Sequence, residues 1–207
     1  MSLPFIRRYR LVATSALLMP VLAAPLAAQD GEPPRDSVEV ASGELSGNHG
    51  RLAINLAAGD ANQQIGAATV AIGDLALTGQ SVEQLNGTGP GADRTTDITI
   101  GAGALSNNTG MVSLNLTAGT RNQSANLASL AIGNNGAVSD QMLAQASAPM
   151  NPAASTDPAH SPANDTIDID GTALAGNSGL VQLNVVGGEG NSSANTFALN
   201  ISAGGEP

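Results

Sequence analysis

One phrase of 18 residues recurs three times in this chain, and asparagine keeps its place each time. "GNHGRLAINLAAGDANQQ" runs over 47–64, "NNTGMVSLNLTAGTRNQS" over 107–124 and "GNSGLVQLNVVGGEGNSS" over 176–193. The second copy lies 60 residues after the first and the third 69 after the second, with no gap inside the phrase. The copies share no His, Cys, Asp or Glu at equivalent positions. What they share is a backbone pattern, which points to assembly and away from catalysis.

Each copy opens on a leucine (Leu45, Leu105, Leu174) followed by an Asn-x-Gly turn. An alternating apolar run comes next: Leu52, Ile54 and Leu56, then Val112, Leu114 and Leu116, then Val181, Leu183 and Val185. Glycine marks a second turn at Gly59, Gly119 and Gly188, and a second alternation closes the copy at Val70 and Ile72, Leu130 and Ile132, Leu199 and Ile201. Apolar residues at i and i+2, punctuated by Gly and Asn, specify short strands and tight turns; a helix would need a 3.6-residue period and fewer breakers. The predicted fold is therefore all-β, with stacked β-arches or β-solenoid-like layers built from three repeats. One such unit cannot bury its apolar face alone, so copies must stack.

The asparagines are spaced by seven: Asn48, Asn55 and Asn62, then Asn108, Asn115 and Asn122, then Asn177, Asn184 and Asn191. For the first and last of each set, turn chemistry is a sufficient account, since Asn bonds nearby backbone and tolerates left-handed φ. The middle one lies inside a strand, opposite the aliphatics, where Asn has low propensity. It is either a solvent-facing polar residue or a member of a ladder. In layers stacked in register, about 4.8 Å apart, identical amides bond up the stack. The ladder is the expectation for all nine.

Composition narrows the rest. Arg7, Arg8 and Arg10 precede the apolar run "LVATSALLMPVLAAPLAA", the pattern of a secretory signal peptide over 1–28, and no membrane span is expected in the mature chain. The mature chain has four arginines and no lysine against 17 acids, a net charge of −13. Nucleic acid and anionic lipid, which need clustered cations, are excluded as partners. There is no cysteine to staple a thin core, and Phe197 is the only aromatic beyond the signal segment. A lectin or single-strand nucleic-acid binder would need more rings to stack on.

These signals divide the chain into a signal peptide (1–28), a flexible lead (29–39), repeats at 40–73, 100–133 and 169–202, linkers at 74–99 and 134–168, and a tail at 203–207. The linkers, rich in Pro, Ala, Ser, Asp and Gly, are expected to be extended and largely disordered, although "SDQMLAQAS" admits one or two helical turns. His49 and His160 are far apart, in a turn and a linker, so no general base is indicated. "DTIDIDG", from Asp165 to Gly171, lacks the spaced Glu of a calcium loop and reads as a solvated start of a strand. No enzyme activity and no cofactor are expected.

The signal peptide, the three imperfect repeats, the two variable linkers and the Gly/Asn motif together resemble the Fap family of bacterial functional amyloids. The resemblance covers the repeats. It implies a secreted cross-β fibril component of the biofilm matrix, either main subunit or nucleator. It also implies self-association, association with related subunits and export through an outer-membrane pore. The chain departs from that family in lacking a Cys-x-x-Cys near its "ISAGGEP" end, and Ser192 and Ser193 stand where the first copy has Gln63 and Gln64. A monomeric solenoid adhesin or coat protein is the alternative left open by the residues.

Overall fold

The computed structural model describes residues 34–87, 90–91, 94–147, 151–152 and 164–203. All of them belong to the unit formed by residues 31–207; the unit formed by residues 1–30, and with it the segment read as a signal peptide, lies outside the described residues. The described residues are all-β, without a helix, and the chain passes three times through one path. The first rung holds β1 (Arg35–Val40), β2 (His49–Ala58), β3 (Gln63–Asn86) and the short β4 (Pro90–Gly91). The second holds β5 (Thr95–Ile100), β6 (Thr109–Ala118), β7 (Gln123–Ser147) and β8 (Asn151–Pro152). The third holds β9 (Asp165–Ile169), β10 (Ser178–Val186) and β11 (Ser192–Ser202).

Equivalent strands pair only with each other, and every pairing is parallel. The sheets run β1-β5-β9, β2-β6-β10 and β3-β7-β11, with the second rung in the middle of each, and β4 and β8 form a two-stranded pair. Register follows the repeat offsets: Asn55 pairs with Asn115, and Asn115 with Asn184. Each rung folds as a serpentine. Val38, Val40, Ile98 and Ile100 of the first sheet pack on Val112, Leu114, Leu116 and Ala118 of the second, with Leu52, Ile54, Leu56, Leu183 and Val185 around them. This is the apolar core. Val181, expected among the core positions, is instead 37% exposed, while Leu183 and Val185 of the same strand are partly buried against the core.

The other face of the second sheet meets the third, and the third sheet then folds back on itself. The turn is at Gly73–Leu75, where the second rung carries one residue more: Leu75 pairs with Gly136 although Gly73 pairs with Gly133. Gln80 Nε2 reaches Thr69 Oγ1 at 3.1 Å, and Gln84 Nε2 reaches the Gln63 carbonyl at 3.1 Å, which places the return arm against the outgoing one. Gln141 repeats the contact on Ser129 at 3.1 Å.

The return arms change the expected organisation. Residues 75–86 and 136–147, read from sequence as disordered linker, are strand, and "SDQMLAQAS" is strand where helical turns were admitted. Its side chains alternate, with Gln141, Leu143 and Gln145 turned inward, and a period of two suits an arm of a sheet. β1 likewise begins inside the segment read as a flexible lead, while β5 lies in the first linker up to Ile100 and β9 begins in the second. The linker residues 88–89, 92–93, 148–150 and 153–163 lie outside the described residues. The second apolar alternation faces outward on the first rung, with Val70 57% and Ile72 74% exposed. There β3 overhangs the start of β2, and Val70, Leu130 and Leu199 line an open apolar groove with Met111 and Phe197.

The turns explain two glycine columns. A Cβ on Gly110 would lie 2.3 Å from the Gly50 carbonyl oxygen, and one on Gly119 1.9 Å from that of Gly188. Both have φ above +100°, so stacking and backbone conformation each require glycine there. The leucines opening each copy are left-handed too: Leu45, Leu105 and Leu174 have φ of 58°, 56° and 65°. That conformation costs roughly 1–2 kcal/mol for a leucine. Leu105 is wholly buried in the core, which offsets the cost.

Leu114→Ala, at the centre of the core, should lower stability by about 2–5 kcal/mol. Ile72→Ala, on an exposed position, should cost under about 0.5 kcal/mol. Urea unfolding followed by the β-sheet circular dichroism signal measures both; equal losses would contradict this placement of the core.

Candidate functional site

The interior between the second and third sheets is polar, and it is built from amides. Asn115 Nδ2 donates to Asn55 Oδ1 at 2.8 Å, and Asn184 Nδ2 donates to Asn115 Oδ1 at 2.9 Å. Each Nδ2 also reaches across to the third sheet, Asn115 to the Ile65 carbonyl and Asn184 to the Ala125 carbonyl, both at 2.9 Å. Asn115 is fully buried and Asn184 is 3% exposed. An amide in that position carries two donors and an acceptor with two lone pairs, and identical neighbours above and below satisfy them. Asn115 and Asn184 therefore face neighbouring sheets and rungs, whereas Asn55, on an end rung, is exposed.

The turn asparagines form two further columns. Asn48 N–H donates to Asn108 Oδ1 at 2.8 Å, and Asn108 N–H to Asn177 Oδ1 at 2.8 Å. At the other turn the direction reverses: Asn122 N–H donates to Asn62 Oδ1 at 3.0 Å and Asn191 N–H to Asn122 Oδ1 at 2.9 Å. Their Nδ2 groups hold turn carbonyls; Asn62 donates to Ala58 and Gly119, and Asn122 to Ala118 and Gly188. Left-handed φ is not their role. The residue before each last asparagine takes it: Ala61 at 56°, Arg121 at 55° and Gly190 at 67°.

The seven-residue spacing does not reveal a fourth column. Asn126 and Asn195 pair in register on the third sheet and face the mid-strand ladder. Asn126 Nδ2 donates to Asn115 Oδ1 at 3.0 Å, and Asn195 Nδ2 to Asn184 Oδ1 at 2.9 Å. The first rung has Gly66 at this register, which hides the column from a three-copy comparison. The recurrence of Asn four residues after Asn122 and Asn191 was the available signal. Gln80, Gln84, Gln141 and Gln145 also escaped notice, because they lie in segments read as linker. Gln145 Nε2 donates to Gln84 Oε1 at 2.7 Å across rungs.

Charge gathers at one corner of the rung, where β1 begins beside the second turn. Arg94 forms a two-pronged ion pair with Asp36 at 2.6 and 2.7 Å and approaches Asp60 at 3.5 Å. The hydrogen bond to Asp36 raises the guanidinium's pKa, and the charges of Asp36, Asp60 and Glu189 add to that against the opposing effect of burial. Arg35 pairs with Asp97 at 2.6 Å on the exposed face of the first sheet. Of the two histidines, His49 is exposed at the start of β2, and His160 lies outside the described residues. The columns place like residues of successive rungs over one another, asparagine on asparagine and glycine on glycine.

No solved structure matches the chain. A family model does. The functional amyloid protein FapB/FapC family, one of structural amyloid proteins, matches residues 23–202, a span that contains all three rungs and the four amide columns; the chain belongs to that family.

Proposed function

We propose that this chain is an exported structural protein that polymerises into cross-β fibrils, each molecule adding three rungs by placing its first rung on the third rung of the molecule before it. The observation that carries this reading is that the columns are unfinished at both ends. Asn62 and Asn122 each give one N–H to a carbonyl of their own rung and one to the next rung, whereas Asn191 Nδ2 donates to Gly187 of its own rung and has no rung beyond it. In the mid-strand ladder Asn55 Oδ1 accepts from Asn115, and Asn115 Oδ1 accepts from Asn184. Continued one step, Asn55 Nδ2 of another molecule donates to Asn184 Oδ1 in place of the Ser193 hydroxyl that donates there at 2.8 Å.

Backbone geometry supports the same reading. The first and third rungs are the edges of every three-stranded sheet, and edge strands present rows of unpaired N–H and C=O groups that template another chain. The family points to self-association and to the cell surface or matrix. The apolar N-terminal segment and the family together support export through an outer-membrane pore, with related subunits as further partners. The role is structural, without a catalytic function or a cofactor.

Purified mature chain should polymerise after a lag that preformed fibrils abolish, and aligned fibrils should diffract at about 4.7–4.8 Å. A soluble monomer with a cooperative melt under the same conditions would favour the adhesin reading. Replacing Asn55, Asn115 and Asn184 together by Asp removes the donors and stacks carboxylates at strand spacing. Two unit charges about 4.8 Å apart repel by roughly 3 kcal/mol at an effective dielectric near 20. The triple variant should fail to nucleate at pH 7 and recover in part near pH 3, where carboxylates are protonated. Assembly equal to the parent at pH 7, by thioflavin fluorescence and sedimentation at matched salt, would remove the ladder from the assembly step.

A further inference from the structure

Three columns of the stack read acid, threonine, acid. Asp36 pairs with Thr96, and Thr96 with Asp165; Glu39 pairs with Thr99, and Thr99 with Asp168. At the second turn, Thr120 bridges to Glu189, and Asp60 occupies the same register between Ala58↔Ala118 and Gln63↔Gln123. Among the described residues no carboxylate lies directly over another within the molecule. Asp97 lies between Ser37 and Thr166, and Asp140 pairs with Gly79. The threonine of the second rung also bonds what it separates: Thr96 Oγ1 donates to Asp165 Oδ1 at 2.6 Å.

The repeat closes differently between molecules. When a first rung is placed on a third rung in the same register, Asp165 meets Asp36, Asp168 meets Glu39 and Glu189 meets Asp60, each about 4.8 Å from its counterpart. We propose that these three carboxylate pairs, which exist only at the junction between molecules, gate elongation by pH. This rests on the rung-on-rung assembly proposed above.

Cations lie near two of the three pairs. Arg94, which leads into β5, pairs with Asp36 and Asp60 of the first rung of the same molecule. Arg121 follows Thr120, the residue that Glu189 bridges, in the second rung. On the exposed face that carries Glu39 and Asp168, Arg35 is paired with Asp97, and Asp170 continues the acidic run while accepting from Thr172. Two of the pairs thus meet at the corner that holds Arg94 and Arg121, and the third, Asp168 with Glu39, meets on the other face of the first sheet.

The sign follows from linkage. Two carboxylates sharing a site hold a proton more tightly than either does alone. The stack therefore binds more protons than free molecules do, and its stability rises as pH falls. The effect saturates near pH 4, where isolated carboxylates are themselves protonated. At neutral pH the same pairs oppose end-to-end addition while leaving the rungs within a molecule intact.

The test measures the soluble concentration left at equilibrium with seeded fibrils of the mature chain, from pH 7.5 to pH 4.5 at fixed ionic strength. The parent should fall at least tenfold between pH 7 and pH 5, roughly tenfold per pH unit for each proton taken up. The isosteric variant Asp165→Asn, Asp168→Asn, Glu189→Gln should be lower than the parent at pH 7 and nearly flat with pH. A control, Asp74→Asn, Glu83→Gln, Asp140→Asn, removes the same charge away from these columns and should keep the parent's slope. A flat parent, or a control that flattens as much as the junction variant, overturns the gate while diffraction at rung spacing leaves the fibril reading standing. Failure of every variant to give seeded fibrils overturns both.

Discussion

In a parallel stack held in register, every side chain lies about 4.8 Å from its own equivalent, and that single distance governs the rest of this structure. Aliphatic residues tolerate it, because like packs on like without direction. Asparagine uses it, because an amide donates on one side and accepts on the other. Glycine is compelled by it at Gly110 and Gly119, where any Cβ would strike the carbonyl of the neighbouring rung. Charge is repelled by it, and each acid in the described rungs has an uncharged residue over it within the molecule.

The two interiors of a rung divide the labour. Between the first and second sheets, Val, Ile and Leu give non-directional burial that would survive small displacements. Between the second and third, Asn115, Asn126 and Asn184 are buried amides whose bonds exist only in one register. Sliding a rung by one residue would place each amide among apolar neighbours, leaving polar groups buried without partners. Polar burial thus fixes alignment, and apolar burial supplies cohesion. The return arms extend the polar principle with glutamines that cap carbonyls of the outgoing arm, as Gln80 does with Ala128.

Position in the stack decides exposure more than residue type does. Leu116 is fully buried, and its equivalents Leu56 and Val185 are only partly so, though all three hold the same position within their own rung. The difference is the presence of a rung on both sides. An end rung is incomplete in the same way at its backbone edge, its amide columns and its apolar flank, which is why the proposed function follows from the ends and not from a pocket.

The sequence by itself determined the all-β character, the three copies, their offsets of 60 and 69 residues, and the leucine, glycine and asparagine columns, because a period of two and a repeated spacing are local properties of a chain. It did not reveal that residues 35–39 and the return arms belong to the rungs, since these segments vary between copies and take their order from the sheet they join. Nor did it show which face the mid-strand asparagines meet, or that Asn126 and Gln145 complete their surroundings. Those facts depend on how each rung doubles back, and that folding brings together residues whose separation in sequence carries no period. Tertiary structure alone decided that each of these threonines stands between two acids, because the acid-threonine-acid order appears only when three rungs are aligned.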